Sequence, residues 1–296
     1  MLFLLSGASG FIGGYLAQYL GAQGHAVRRL VRAETRMESE FAWNPQRGEI
    51  NVAAFDGVDV VVNLSGAGIA DRRWTPQYKR EIRDSRVQST SLLARSIAEL
   101  QAPSVFVSMS AIGWYGHRDP GEVQTEESPS GSGFMAEVSQ AWEAAAEPAR
   151  NAGVRVIHPR MGVVVGNGAM LQKLAPLFRS GIGGRLGSGR QVMSWIALDD
   201  IGPALLHCNE HGLSGAFNFT SPQPVTNGEF TTELAAQLHR PAITTVPAFA
   251  LRAMLGEVAD ELLYGQNVHP RKLEDSGYVF SLPSLHDALV KYLPLI

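Results

Sequence analysis

Apolar residues in the first half of the chain gather in short unbroken runs, separated by stretches whose apolar positions recur with a helical period. LFLL (2–5) leads into GASGFIGG and an amphipathic helix reaching about residue 23. HAVRRLV (25–31), DVVVNL (59–64), SVFVSMS (104–110) and VRVIHPRMGVVV (154–165) read as further strands. Thr75-Pro76 is a capping residue followed by a proline at a first helical position, so the pattern predicts a helix over 75–100. Another is predicted over 134–152, closing at Asn151-Ala152-Gly153. Uninterrupted apolar strands alternating with helices imply an α/β fold, a doubly wound parallel sheet covered on both faces.

The second half is less regular. A glycine-rich loop, GIGGRLGSGRQ (181–191), precedes MSWIALDD (193–200) and a helix to about Glu210, with Asp199 and Asp200 expected to cap it. A strand (215–220), a helix (226–238), a helical stretch (249–263) and a closing amphipathic helix, SLHDALVKYL, follow. The expected division is a dinucleotide-binding domain over 1–165, to which 193–221 returns. A smaller substrate-side lobe spans 166–296 and includes a distinct segment at 247–296. That lobe lies over the carboxyl edge of the sheet, where open α/β sheets bind ligands.

Composition narrows the partners. Apolar residues make up 45 % of 296, enough for a real core. Lys plus Arg number 25 against 28 Asp plus Glu, a net charge of −3 that argues against a general nucleic-acid binder. The single cysteine, Cys208 in PALLHC, excludes an internal disulfide, reads as a core thiol and suits a reducing compartment. MLFLL is too short for an export signal, and no run approaches the ~20 apolar residues that span a bilayer. The expected location is therefore the cytoplasm. The expected partners are a small-molecule substrate and at most a second copy in a homodimer, without nucleic acid or membrane. No histidine pair, cysteine pair or carboxylate cluster has metal-ligand spacing.

Gly7, Gly10 and Gly13 stand between the first strand and its helix. There they permit a tight turn, a close approach of backbone to pyrophosphate, and close helix–strand packing, with the free helix amides facing the anion. An NAD site would offer a carboxylate at the end of the second strand. Here that end reads Leu30-Val31-Arg32, which favours the 2′-phosphate of NADP(H) on Arg32, with Arg28 or Arg36 as helpers. Glu34, just beyond, keeps NAD open as the lesser alternative. After DVVVNL, the small residues of Ser65-Gly66-Ala67-Gly68 would let the cofactor lie against the backbone.

GASGFIG, NLSGAG, SMSAIGWYG and PRMGVVVG together resemble the extended short-chain dehydrogenase/reductases. RRWTPQYKREIRDSRVQST (72–90), WEAAA (142–146), GIGGRLGSGRQVMSWI (181–196) and HRPAITTVPAFALR (239–252) are similar to their "epimerase family protein" branch, along essentially the whole chain. The resemblance implies a Rossmann-type fold with NADP(H). It places cofactor contacts on Gly7, Ser9, Gly10, Phe11, Ile12 and Gly13, on Arg32, on Leu64, Ser65 and Gly66, and on Val164. It adds Glu81 and Arg86 on roughly one side of the helix after NLSGAG.

The same resemblance raises a difficulty. Standard members use a serine, a tyrosine and a lysine; the lysine and the cofactor charge pull the tyrosine down from its free pKa of ~10. Ser110 matches the serine, but the tyrosine and lysine positions fall on Phe134 and Val138, which carry no proton chemistry. Tyr115 is expected at the cleft mouth, either as a replacement acid or as wall packing, with Ser110 orienting the substrate. His117, in the polar loop HRDPGEV, is expected to be solvated, and His158, inside an apolar strand, to be a satisfied core residue. Glu137 stays open. Arg185 and Arg190, with their loop glycines, read either as an anion cradle or as a mobile surface loop, and Trp195 either stacks a ring or seals the lobe junction; Met109 and Trp114 are expected along the cleft. Two functions remain: an NADP(H)-dependent oxidoreductase or epimerase acting on a small, sugar-like or anionic substrate, and a non-catalytic NADP(H) sensor.

Overall fold

The computed structural model describes residues 1–32 and 34–296, without the side chain of Ala169. Among the described residues, nine strands form the main sheet. Gly215–Phe219 lies at one edge, followed by Arg155–Met161, Val105–Ser108, Val60–Asn63, Leu2–Ser6, Ala26–Val31, Glu40–Asn44 and Glu49–Ile50. The short strand Ser110–Ala111 pairs with Arg155–Met161. All pairings are parallel except that between Glu40–Asn44 and Glu49–Ile50.

The strand sequence explains this arrangement. Phe3, Leu4 and Leu5 are fully buried, as are Val61 and Val62, because helices cover both faces. On one face, Leu16 and Leu20 of helix Phe11–Ala22 (α1) pack with Leu198 and Leu205. On the other, Leu93 and Ile97 of helix Pro76–Leu100 (α2) pack with Phe55 and Ala149. Thr75 accepts the Tyr78 amide at 3.1 Å and so caps α2, which has its proline in the first turn. Chain order reverses at Leu2–Ser6, whose neighbours are Ala26–Val31 and Val60–Asn63. The crevice at the carboxyl ends of these strands is where such sheets take ligands.

Several elements depart from the sequence pattern. The segment 134–152 forms two helices, Phe134–Ala144 (α3) and Glu147–Asn151, the second with Pro148 in its first turn. The stretch 249–263 likewise divides into Ala248–Leu255 and Val258–Leu263 at Gly256, whose φ of +66° suits glycine. Strand Glu40–Asn44 and helix Ala169–Arg179 were not foreseen.

Helix Leu198–Glu210 starts earlier than expected and has no side-chain cap. Asp200 is buried instead and accepts the Ser281 amide and hydroxyl, both at 2.7 Å, and the Tyr278 hydroxyl at 3.1 Å. It thus anchors the C-terminal segment to the sheet domain. Cys208 is a core thiol, pushed up to about 12 by burial.

Candidate active site

The glycine turn leaves the switch-point strand at Ser6. Gly7 has φ +70°, and a Cβ there would meet the Leu64 carbonyl carbon at 2.8 Å. A Cβ on Gly13 would stand 2.2 Å from the Gly7 oxygen, so glycine lets α1 seat against the turn. Gly10 differs: its nearest neighbour to a built Cβ is the Gly7 oxygen at 3.4 Å, and Gly10 and Ser9 are exposed. No side chain caps α1. An exposed bend before an uncapped helix leaves the first amides for an anion. Phe11 serves packing as well, because Gly166 and Gly168 make room for its ring. Ile12 and Val164 are half-buried beside it. These residues fit a dinucleotide.

Arg32 is exposed directly after strand Ala26–Val31. Arg28 does not assist it, because its guanidinium donates to the carbonyls of Ala54 at 3.1 Å and Asp56 at 2.6 Å. Asn63 organises the next strand end. Its Oδ1 accepts from the Ser6 hydroxyl at 2.6 Å and the Ser65 amide at 3.1 Å, and its Nδ2 donates to Thr90 at 2.8 Å. Arg86 lies along Gly66, donates to the Ala67 carbonyl at 3.0 Å and stacks over Trp142 at 5.1 Å. Burial lowers its pKa to about 10. Glu81 is exposed and does not share that side of α2. Five residues at 100° each separate the two side chains by about 140°.

The tyrosine and lysine positions form an apolar wall. Phe134, at the start of α3, meets Trp74 edge-on at 4.9 Å, and Val138 is buried with Tyr78 and Ile82. Glu137 is exposed. Lys79 of α2 lies 5.0 Å from the Phe134 ring centre and pairs with Glu257.

Ser110 is 2 % exposed, and its hydroxyl donates to Glu143 at 2.6 Å. Glu143 also receives Arg160 through two hydrogen bonds, at 2.8 and 3.0 Å. Arg160 donates further to the Tyr115 hydroxyl at 3.1 Å, and that hydroxyl donates to Asn218 at 2.7 Å. Tyr115 is fully buried, which corrects its expected place at the cleft mouth. Burial raises its pKa above the usual phenol value, and Arg160 opposes this only in part. The phenol thus has both its donor and an acceptor position filled inside the fold, which fits wall packing, the second of its two expected roles.

For Trp195, burial speaks for the second of its two expected roles and against stacking on a substrate ring. It is fully buried and donates to the Gln223 carbonyl at 2.9 Å, so it seals the lobe junction. Arg190 is exposed on its loop. Arg185 lines a separate cleft with Gly228, Thr231 and Thr245. His158 is a satisfied core histidine, within 3.1 Å of the Ser108 carbonyl and of Arg150, and burial lowers its pKa. Met109 is buried in the core, while Trp114 lies under the Arg160 guanidinium at 3.9 Å.

A further, small cleft of about 30 Å³ opens beside Phe134, lined by Gly116, His117, Ser132, Met135, Glu261 and Gln266 among others. His117 keeps 40 % of its side chain exposed, yet Nε2 stands 3.4 Å from Glu261 and the ring stacks on Tyr264 at 4.8 Å. The expectation of a merely solvated histidine is therefore amended. Sequence reading also passed over Glu143 and Arg160. The available signal was a charge inside an apolar strand and a glutamate in an alanine-rich helix, since buried charges need partners.

Glycine turn, parallel sheet and ligand crevice define a dinucleotide-binding α/β protein. The family model described as "NAD dependent epimerase/dehydratase family" matches residues 3–219, and the chain belongs to that family. A second, "Domain of unknown function (DUF1731)", matches residues 246–291. An epimerase family protein of Mycobacterium leprae is 44 % identical over 96 % of this chain and 93 % of its own length. The crystal structure of human epimerase family protein SDR39U1 with NADPH superposes with a TM-score of 0.91, at 32 % identity and full coverage of both chains. A nucleoside-diphosphate sugar epimerase from Corynebacterium glutamicum reaches 0.83 at 33 % identity, covering 99 % of this chain and 58 % of that one. No described helix is long and apolar enough to cross a membrane.

Proposed function

We propose that the chain binds NADP(H) and acts as an oxidoreductase or epimerase on a small, sugar-like or anionic substrate, without the usual tyrosine and lysine. The exposed glycine turn before an uncapped α1, with Arg32 one strand away, carries this reading. Its supports include the NADPH held by the human relative. Residues Gly7 to Gly13 and Leu64 to Gly66 hold the pyrophosphate and ribose, Arg32 receives the 2′-phosphate, and Val164 borders the nicotinamide side. The bound nicotinamide supplies or accepts a hydride. Arg86 keeps the Gly66–Ala67 backbone in place for the cofactor. Ser110 is an orienting group held by Glu143. Arg185 and Arg190 receive the far, anionic end of the substrate. Residues 1–165 with 193–221 make the dinucleotide-binding domain, the remainder the substrate lobe, and the cytoplasm is the compartment.

Titration of intrinsic NADPH fluorescence tests the reading. NADPH should bind the wild-type protein more tightly than NADH does, and Arg32→Ala should erase that preference. Absence of binding by either phosphorylated form overturns it. The apolar packing of Phe134 and Val138 favours a second reading, a non-catalytic NADP(H) sensor. Tight binding with no turnover on any carbonyl substrate would select that one.

A further inference from the structure

Loss of the tyrosine and lysine leaves the cleft beside Phe134 in need of a group able to hold and release a proton near neutral pH. His117 lines this cleft, and Glu261 lines it from the opposite side of the molecule's sequence, within the segment matched by the domain of unknown function. Their contact is 3.4 Å, through Nε2, and no described residue makes a hydrogen bond to Nδ1. Tyr264 braces the ring from its face and is itself held by Arg252 at 3.4 Å. Three contacts bring 253–261 over the cleft: Arg73 to the carbonyls of Ala253 and Met254, Lys79 to Glu257, and His117 to Glu261. Glu257 and Glu261 are four residues apart, about one turn, and so face the same way, one to Lys79 beside the Phe134 ring and the other to His117.

We propose that His117, oriented by Glu261, is the general acid–base of this site, and that the C-terminal segment is needed for catalysis because it delivers that carboxylate. The inference rests on the oxidoreductase reading above. In the reducing direction, the substrate carbonyl carbon receives the hydride of a reduced nicotinamide. The π-electron pair of the C=O bond moves to oxygen, and the proton from Nδ1 of His117 completes the hydroxyl. The imidazolium becomes neutral imidazole, and solvent at the exposed ring restores its proton. Glu261 stays ionised and holds the ring through Nε2, the division of labour of a histidine–carboxylate pair. The charged surroundings suit this role. Glu261 raises the histidine pKa above its usual value, burial opposes the rise, and Asp260 adds to it. Arg118, next in sequence, turns away to the Tyr115 carbonyl at 2.9 Å.

The test compares wild type, His117→Gln and Glu261→Gln, using NADPH with nitrobenzaldehyde, diacetyl and glyceraldehyde as carbonyl probes. The histidine is also titrated by NMR in cofactor-free protein. Expected are NADPH affinity equal in all three proteins and a loss of kcat of at least about 100-fold in His117→Gln. The reducing rate should fall as pH rises through the titration midpoint of His117, and Glu261→Gln should move both midpoint and rate profile to lower pH. Retention of turnover within about threefold in His117→Gln overturns the proposal, general acids being worth far more. So does a rate profile that does not follow the NMR midpoint, and so does wild-type inactivity on all three probes despite NADPH binding. Failure of NADPH to bind instead removes the oxidoreductase reading itself.

Discussion

The glycine turn and the Phe134 wall share one carboxyl edge of the sheet, and they are built from different materials. The turn is backbone: Gly7 and Gly13 stand where any Cβ would strike Leu64 or the Gly7 carbonyl, and the amides that follow have no side-chain cap. The wall is side chains: Phe134 and Val138 pack with Trp74, Tyr78 and Ile82. A backbone site cannot be altered one atom at a time, because the strand, bend and helix that form it also hold the sheet together. A proton-transfer site made of tips can change residue by residue while the fold survives. The human and bacterial relatives named above share the fold at high superposition; the chemistry of this cleft is where members of such a family are free to diverge.

The sharpest way to break this contrast lies behind the wall. Glu143→Ala leaves Arg160 buried over Trp114 with its carboxylate partner gone, and stability should fall by about 3–5 kcal/mol. Urea unfolding measures it; a loss under about 1 kcal/mol would mean that the network is no structural unit. Next, Gly13→Val places a side chain on the Gly7 carbonyl. It should cost about 1–3 kcal/mol of stability. NADPH affinity, read by fluorescence, should drop roughly tenfold to a hundredfold with it.

Arg32→Ala removes a charge-assisted contact of about 1.5–3 kcal/mol, so NADPH should weaken roughly tenfold to a hundredfold while NADH is unchanged. Equal weakening of both cofactors would remove Arg32 from the 2′-phosphate. The smallest effect belongs to Tyr115→Phe. Losing hydrogen bonds to Asn218 and Arg160 should cost about 1–2 kcal/mol by thermal unfolding and leave cofactor affinity unchanged. A collapse of turnover at full stability would return Tyr115 to the chemistry.

Legibility followed the same division. LFLL, DVVVNL and SVFVSMS became central strands, because apolar runs of that length have no other place than a sheet covered on both faces. The Thr75-Pro76 start of α2 was readable from two residues. Strand Glu40–Asn44 was hidden because it is short, with only Phe41 and Trp43 large and apolar, whereas the break in 134–152 was marked by Pro148 and masked by the helix-favouring alanines around it. Arg28 and Arg32 look interchangeable in sequence, yet one donates to the carbonyls of Ala54 and Asp56 while the other stays exposed.

Amino-acid order alone was enough for the α/β architecture, the glycine bend and the missing tyrosine and lysine, since each is a local matter of period, Cβ volume or residue type. Which polar groups meet was settled by folding. Ser110 finds Glu143 across 33 residues, Tyr115 finds Asn218 across 103, and His117 meets Glu261 from the far end of the chain. Hydrogen bonds between tips depend on how helices and lobes dock, and docking is decided by the packed core as a whole.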